Sequence, residues 1–75
     1  MKAIITINEG VTVDIHAMLE SYLAEHLTGR HTTTATAATT IEVEFEETTE
    51  NSDVILRSVA HIGNIFGVGP HIRFV

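Results

Sequence analysis

The segment Ile41-Glu42-Val43-Glu44-Phe45-Glu46 alternates apolar and acidic residues without a break. Successive side chains of an extended chain point to opposite faces, so the pattern fits a strand with one buried face and one wet face. Such a strand belongs to an antiparallel sheet, because parallel strands are covered on both sides and read as continuous apolar runs. Other elements must then cover the face that carries Ile41, Val43 and Phe45.

Two helical stripes supply that cover. Ile15, Met18, Leu19, Tyr22, Leu23 and Leu27 recur at helical period, with Asp14 placed to cap the start and Gly29 to stop the end. Val13 and Met18 are spaced for a hydrophobic staple around that cap. Ile55, Val59, Ile62 and Phe66, joined by Leu56 and Ala60, form a second stripe that ends at Gly67. Asn51 or Ser52 is placed to cap it, with Asp53 in the first turn. Gly63 lies inside it and weakens it by roughly 1 kcal/mol relative to alanine; a small residue there suits close packing.

Ala3-Ile4-Ile5-Thr6-Ile7 reads as a largely buried strand that closes at Asn8-Glu9-Gly10. Ile72 and Phe74 define a short last strand, with His71, Arg73 and Val75 on its other side. The tract His31 to Thr40 is almost wholly Thr and Ala. Threonine favours extended backbone, so the tract fits an edge strand. It fits a surface loop equally, having little apolar area and no Gly, Asn or Pro to set a hairpin turn. The order is therefore β-α-(β)-β-α-β. With the Thr tract as a strand, this is the ferredoxin-like, split β-α-β plan, a two-layer α+β sandwich with both helices on one face. Residues 1–75 are expected to form a single small domain.

A chain of 75 residues buries a limited core, and without cysteine it has no disulfide or thiolate metal site to reinforce it. A second subunit is the expected source of further burial, so a homodimer through an edge strand or an apolar face is anticipated. The cysteine-free composition is compatible with a reducing cytoplasm. The opening apolar run, Ala3 to Ile7, is too short for a signal-peptide core or a membrane span.

Ten acidic residues face four basic ones, for a formal net charge of -6. Lys2, Arg30, Arg57 and Arg73 are scattered, so the clustered cations needed for phosphates or an anionic membrane are missing. Direct nucleic-acid binding and membrane binding are not expected. Phe45, Phe66, Phe74 and Tyr22 fall at core positions, which suits packing better than base stacking.

Side chains two apart on a strand lie about 6.6–6.8 Å apart on one face, so Glu42, Glu44 and Glu46 form a line that Glu47 and Glu50 extend. One reading is a recognition surface for a basic partner, including one that normally binds nucleic acid. The plainer reading is a solvated sheet face with Lys2 and Arg73 paired across it. Five histidines, His16, His26, His31, His61 and His71, match no zinc spacing, although distant ones such as His61 and His71 are a conceivable pair. Ser21, Ser52 and Ser58 read as helix-surface or capping residues. The His16/Glu20 pair on a helix surface lacks the desolvation that tunes a general acid or base. Gly63, Gly67 and Gly69 follow a helix rather than open one, so they make no phosphate cradle.

No catalytic, cofactor or metal residues are therefore expected. The preferred expectation is a non-enzymatic protein-binding module, such as a small acidic inhibitor or regulator of viral or mobile-element type, acting on a basic partner through Glu42, Glu44, Glu46, Glu47 and Glu50. A small-ligand or metal-binding domain using histidines, and a structural assembly subunit, are the alternatives.

Overall fold

In the computed structural model, which describes residues 1–75, the alternating segment lies in the interior of a four-stranded sheet. In chain order the elements are β1 (Lys2–Thr6), α1 (Val13–His26), β2 (His31–Ala37), β3 (Thr40–Phe45), α2 (Thr49–Phe66) and β4 (His71–Phe74). The strands run in the order β2-β3-β1-β4, and every neighbouring pair is antiparallel. Each helix thus joins two strands with a third inserted between them: β3 separates β1 from β2, and β1 separates β3 from β4. The expected α+β architecture is present, with the Thr tract as its fourth strand.

Parity decides what is inside. Ala3, Ile5, Ile7, Ile41, Val43 and Phe45 are buried, and they share one core with Ile15, Leu19, Leu23 and Leu27 of the first helical segment and Val54, Ile55, Val59 and Ile62 of α2. Both helices therefore cover the same sheet face. Fully burying an isoleucine or leucine contributes about 1.5–3 kcal/mol, so this single cluster carries most of the favourable energy. In α2 the buried stripe is Asn51, Val54, Ile55, Ser58, Val59 and Ile62. Leu56 and Ala60, expected inside, face outward, with Leu56 at 45% exposure. Ser58, expected at the surface, is buried and donates its hydroxyl to the Ile55 carbonyl at 2.7 Å.

The helix starts differ from the sequence expectation in the same way at both ends. Thr12, not Asp14, caps α1, its Oγ1 accepting from the Ile15 amide at 3.1 Å. Thr48, not Asn51 or Ser52, caps α2 by accepting from the Asn51 amide at 3.0 Å. Asp14 and Glu50 fall in the first turns, where a carboxylate favours the positive helix end. Val13 is 84% exposed and forms no staple; Val11 packs on the core instead. Gly67 ends α2 in the left-handed conformation, as expected. At α1 the chain leaves the helix at Leu27 in an extended conformation, and Gly29, with φ of 81°, turns it into β2 rather than stopping the helix. A Cβ on Gly63 would lie 3.2 Å from both Pro70 Cδ and the Val68 carbonyl, the close approach that a glycine permits.

The β2–β3 turn forms without Gly, Asn or Pro, and no residue in it has a positive φ. The pairing slips at a bulge between Ala35 and Ala37. The carbonyls of Ala38 and Thr39 accept the amides of Val11 and Ile7 at 2.8 Å each. A bulge adds local twist that lets an ordinary turn close the hairpin.

At the other end of the sheet a buried asparagine joins two loops. Asn51 is 1% exposed. Its Oδ1 accepts from the Thr28 amide at 3.0 Å and the Thr28 hydroxyl at 3.3 Å. Its Nδ2 donates to the carbonyls of Thr28 at 3.0 Å and Glu46 at 2.8 Å. Both acceptor positions and both donors of the amide are thus used. Asn51→Ala should lower unfolding free energy by about 2–4 kcal/mol, because three backbone groups lose their partner. Asn51→Asp keeps the acceptor but sets a carboxylate against two carbonyls, which raises its pKa above the unfolded value of about 3.9. The folded state then binds more protons than the unfolded one, so this variant should be most stable in acid and weaken as pH rises. Urea melts at several pH values check both; a neutral Asn51→Ala would contradict the tether.

Candidate functional site

The five glutamates singled out in the sequence divide into three settings. Glu42 and Glu44 lie on the open sheet face, opposite Ile4 and Lys2 of β1. Lys2 reaches diagonally to Glu42, Nζ to Oε1 3.0 Å. Arg73 and His71 of β4 stand on the same face, opposite Ile4 and Thr6. This face thus carries two carboxylates and two fixed cations, of which Lys2 and Glu42 are paired, and it is balanced rather than acidic. The rest of it is mostly hydroxyl, from Thr6, Thr32, Thr34 and Thr40.

Glu46 lies one residue beyond β3 and turns to the neighbouring loop. Its Oε2 accepts from the Arg30 amide at 2.7 Å. The carboxylate occupies the space a side chain at residue 29 would need, so Gly29 and Glu46 are matched. Glu47 follows in the β3–α2 turn, and Glu50 and Asp53 in the first turns of α2, all exposed. The acidic surface thus bends round the end of the sheet from Glu44 to Asp53 instead of running along β3.

Two hollows lie at this corner. A groove of 610 Å³ is lined by Glu44, Glu46, Lys2, Arg30, Phe45 and Val75 among others. A smaller one of 450 Å³ is lined by Glu47, Thr48, Thr49, Ser52 and Asp53. Met1 borders both, 43% exposed as a residue and with its amino group donating to the Phe45 carbonyl at 3.0 Å. A third hollow lies between the helices, against Met18, Ile65 and Phe66.

The histidines are not brought together. His61 is on the helix layer and His71 on the opposite, open face of the sheet, so the conceivable His61/His71 pair does not form. His26 and His61 instead flank Tyr22, with ring centroids 4.4 and 5.8 Å from it. No group of three or more His, Asp or Glu side chains is arranged to hold a metal ion. His16 Nε2 is buried without a hydrogen-bond partner and lies 3.7 Å from Glu20 Oε2.

One ionisable group stands apart from its ordinary value. The hydrogen bond from Lys2 to Glu42, the charge of that carboxylate, and more weakly that of Glu44, raise the Lys2 pKa against a smaller opposing effect of burial. Neither helix is long and apolar enough to cross a membrane. No family model, curated protein or solved structure matches this chain.

Because the folded-state pKa of Lys2 is raised, its pair with Glu42 stabilises the fold fully below the unfolded value of about 10.4 and is lost as pH climbs through the raised value. Lys2→Met should therefore lose less melting temperature than the parent protein between about pH 10 and 12. Equal losses in thermal scans at both pH values would show the pair contributes nothing. Addition of zinc or nickel should leave the melting temperature of the parent unchanged; a rise with metal concentration would contradict the scattered histidine placement.

Proposed function

We propose that this chain is a non-enzymatic protein-binding module that captures a basic partner through the acidic corner at the end of the sheet. The supporting observation is the run of exposed carboxylates Glu44, Glu46, Glu47, Glu50 and Asp53 around two adjoining hollows that share Met1. Carboxylates in this density attract a cationic surface at long range and favour it over neutral competitors. Met1 and Val75, both exposed, give the larger groove apolar walls, which suit the aliphatic stem of a partner's arginine or lysine while its head meets Glu44. Arg30 and Lys2 at the rim supply the only neighbouring side-chain cations and fix where a partner's own acids can sit.

Capture of this kind makes the chain an inhibitor or regulator: a basic surface held by these carboxylates is closed to nucleic-acid phosphates. Glu42 is the least available of the five glutamates, being committed to Lys2. We place this action in the cytoplasm, with which the cysteine-free sequence is compatible.

The test reverses Glu44, Glu47 and Glu50 to lysine and leaves Glu42 and Glu46, which hold local structure, in place. Helix content by circular dichroism should persist. Retention on an immobilised arginine-rich peptide should weaken about 100-fold, because like charges set face to face cost several kcal/mol. The binding partner recovered from host extract by the parent protein should also be lost. Unchanged capture by the reversed protein would remove the acidic corner as the binding surface.

A further inference from the structure

The two edges of the sheet are unlike. β4 is four residues long, follows Pro70 and carries Arg73 and His71, the features that discourage a further strand from joining. β2 is seven residues long and contains no proline, Asp, Glu, Lys or Arg. Its only defence is the bulge at its far end, beyond Ala35.

The backbone groups on that free edge follow from the ladder. Phe45 and Met1 exchange both of their bonds, 3.0 Å each. In an antiparallel sheet the groups of successive residues point alternately to the two neighbours. Ile41, Val43 and Phe45 therefore bond toward β1, and Glu42 and Glu44 bond toward Thr34 and Thr32 of β2. The amides and carbonyls of His31, Thr33 and Ala35 are left facing outward. On β4 the same alternation, started from the mutual Lys2 and Val75 bonds, leaves only Ile72 and Phe74.

We propose that β2 pairs with β2 of a second copy of this chain, antiparallel about a two-fold axis at Thr33, to make one continuous eight-stranded sheet. That register opposes His31 to Ala35, Thr33 to Thr33 and Ala35 to His31. All outward groups are then satisfied by about six backbone bonds, the number the alternation rule gives for three mutually bonded pairs. On the open face it opposes Thr32 to Thr34 twice, β-branched pairs that pack and hydrogen-bond across strands. On the other face it brings the two Thr33 hydroxyls together; Thr33 Oγ1 is buried and has no partner within the chain. The strand is self-complementary in this register, so the outward groups of His31, Thr33 and Ala35 and the unpartnered Thr33 hydroxyl meet the same set in a second copy. Each chain carries -6, and β2 lets two such chains meet along a strip without charged side chains. This pairing lies at the edge of the sheet and does not rest on the acidic corner.

Thr33→Pro removes an outward amide and no internal bond, so it should keep the fold and abolish the dimer. Ala35→Pro, at an exposed position beside the bulge, likewise removes an outward amide and provides a second fold-preserving variant. Sedimentation velocity from micromolar to millimolar concentration should show a parent dimer, with both variants monomeric and unchanged in circular dichroism. An isotope-filtered spectrum of mixed labelled and unlabelled parent should contain an intermolecular Thr32–Thr34 Hα contact, which only this register supplies. A parent that stays monomeric throughout, binds only an added extended peptide, or dimerises unaffected by Thr33→Pro, would overturn the proposal.

Discussion

The arrangement at the end of the sheet depends on the side-chain amide of Asn51. Two loops leave the core there, one from α1 to β2 and one from β3 to α2, and neither has enough apolar side chains to hold its own course. The amide ties Thr28 of the first to Glu46 of the second, and the Thr48 cap fixes where α2 begins. A buried amide left half-bonded costs more than it contributes, so a site with every position filled admits one geometry. Just outside it, the Glu46 carboxylate repeats the connection through the Arg30 amide. The corner is thereby held from the inside by a neutral side-chain amide and from the outside by a carboxylate.

This has a direct effect on where charge is shown. A strand that simply continued would have carried Glu46 along the open face with Glu42 and Glu44. The tether ends β3 at Phe45, and the chain turns so that Glu47, Glu50 and Asp53 come round the sheet end. On the face itself Lys2 and Arg73 balance the two remaining carboxylates. The negative potential of the chain is concentrated at a corner with hollows in it, which is a better place for a partner to dock than the flat face of a sheet.

The parities of the sequence were sufficient for the layers. Ile41, Val43 and Phe45, and the first-helix stripe of Ile15, Leu19 and Leu23, are inside because two-fold and 3.6-fold periods leave no other choice. The Thr tract was undecided for a physical reason: its side chains contribute little burial, and what makes it a strand is ladder bonding to β3, together with turn carbonyls bonded to Ile7 and Val11 some thirty residues away. The caps were misplaced by a few residues because Thr, Asp and Asn all serve at helix starts, and only the buried use of Asn51 distinguishes them. That use left one signal in the sequence: Asn51 falls three and four residues before Val54 and Ile55, on the buried stripe of α2. The glutamate row was legible as far as Glu44. Beyond it, Gly29 and Glu46 are a matched pair from distant segments, and no local pattern connects them.

Amide hydrogen exchange at Thr28 tests the tether most directly. Thr28 lies outside every helix and strand, so without Asn51 its amide would exchange like that of an open loop. With its amide bonded to a 1% exposed side chain, it should exchange as slowly as the amides of the central strand β3. Exchange at the rate of an unprotected loop amide, while β3 remains protected, would mean that the corner is not held in the way described.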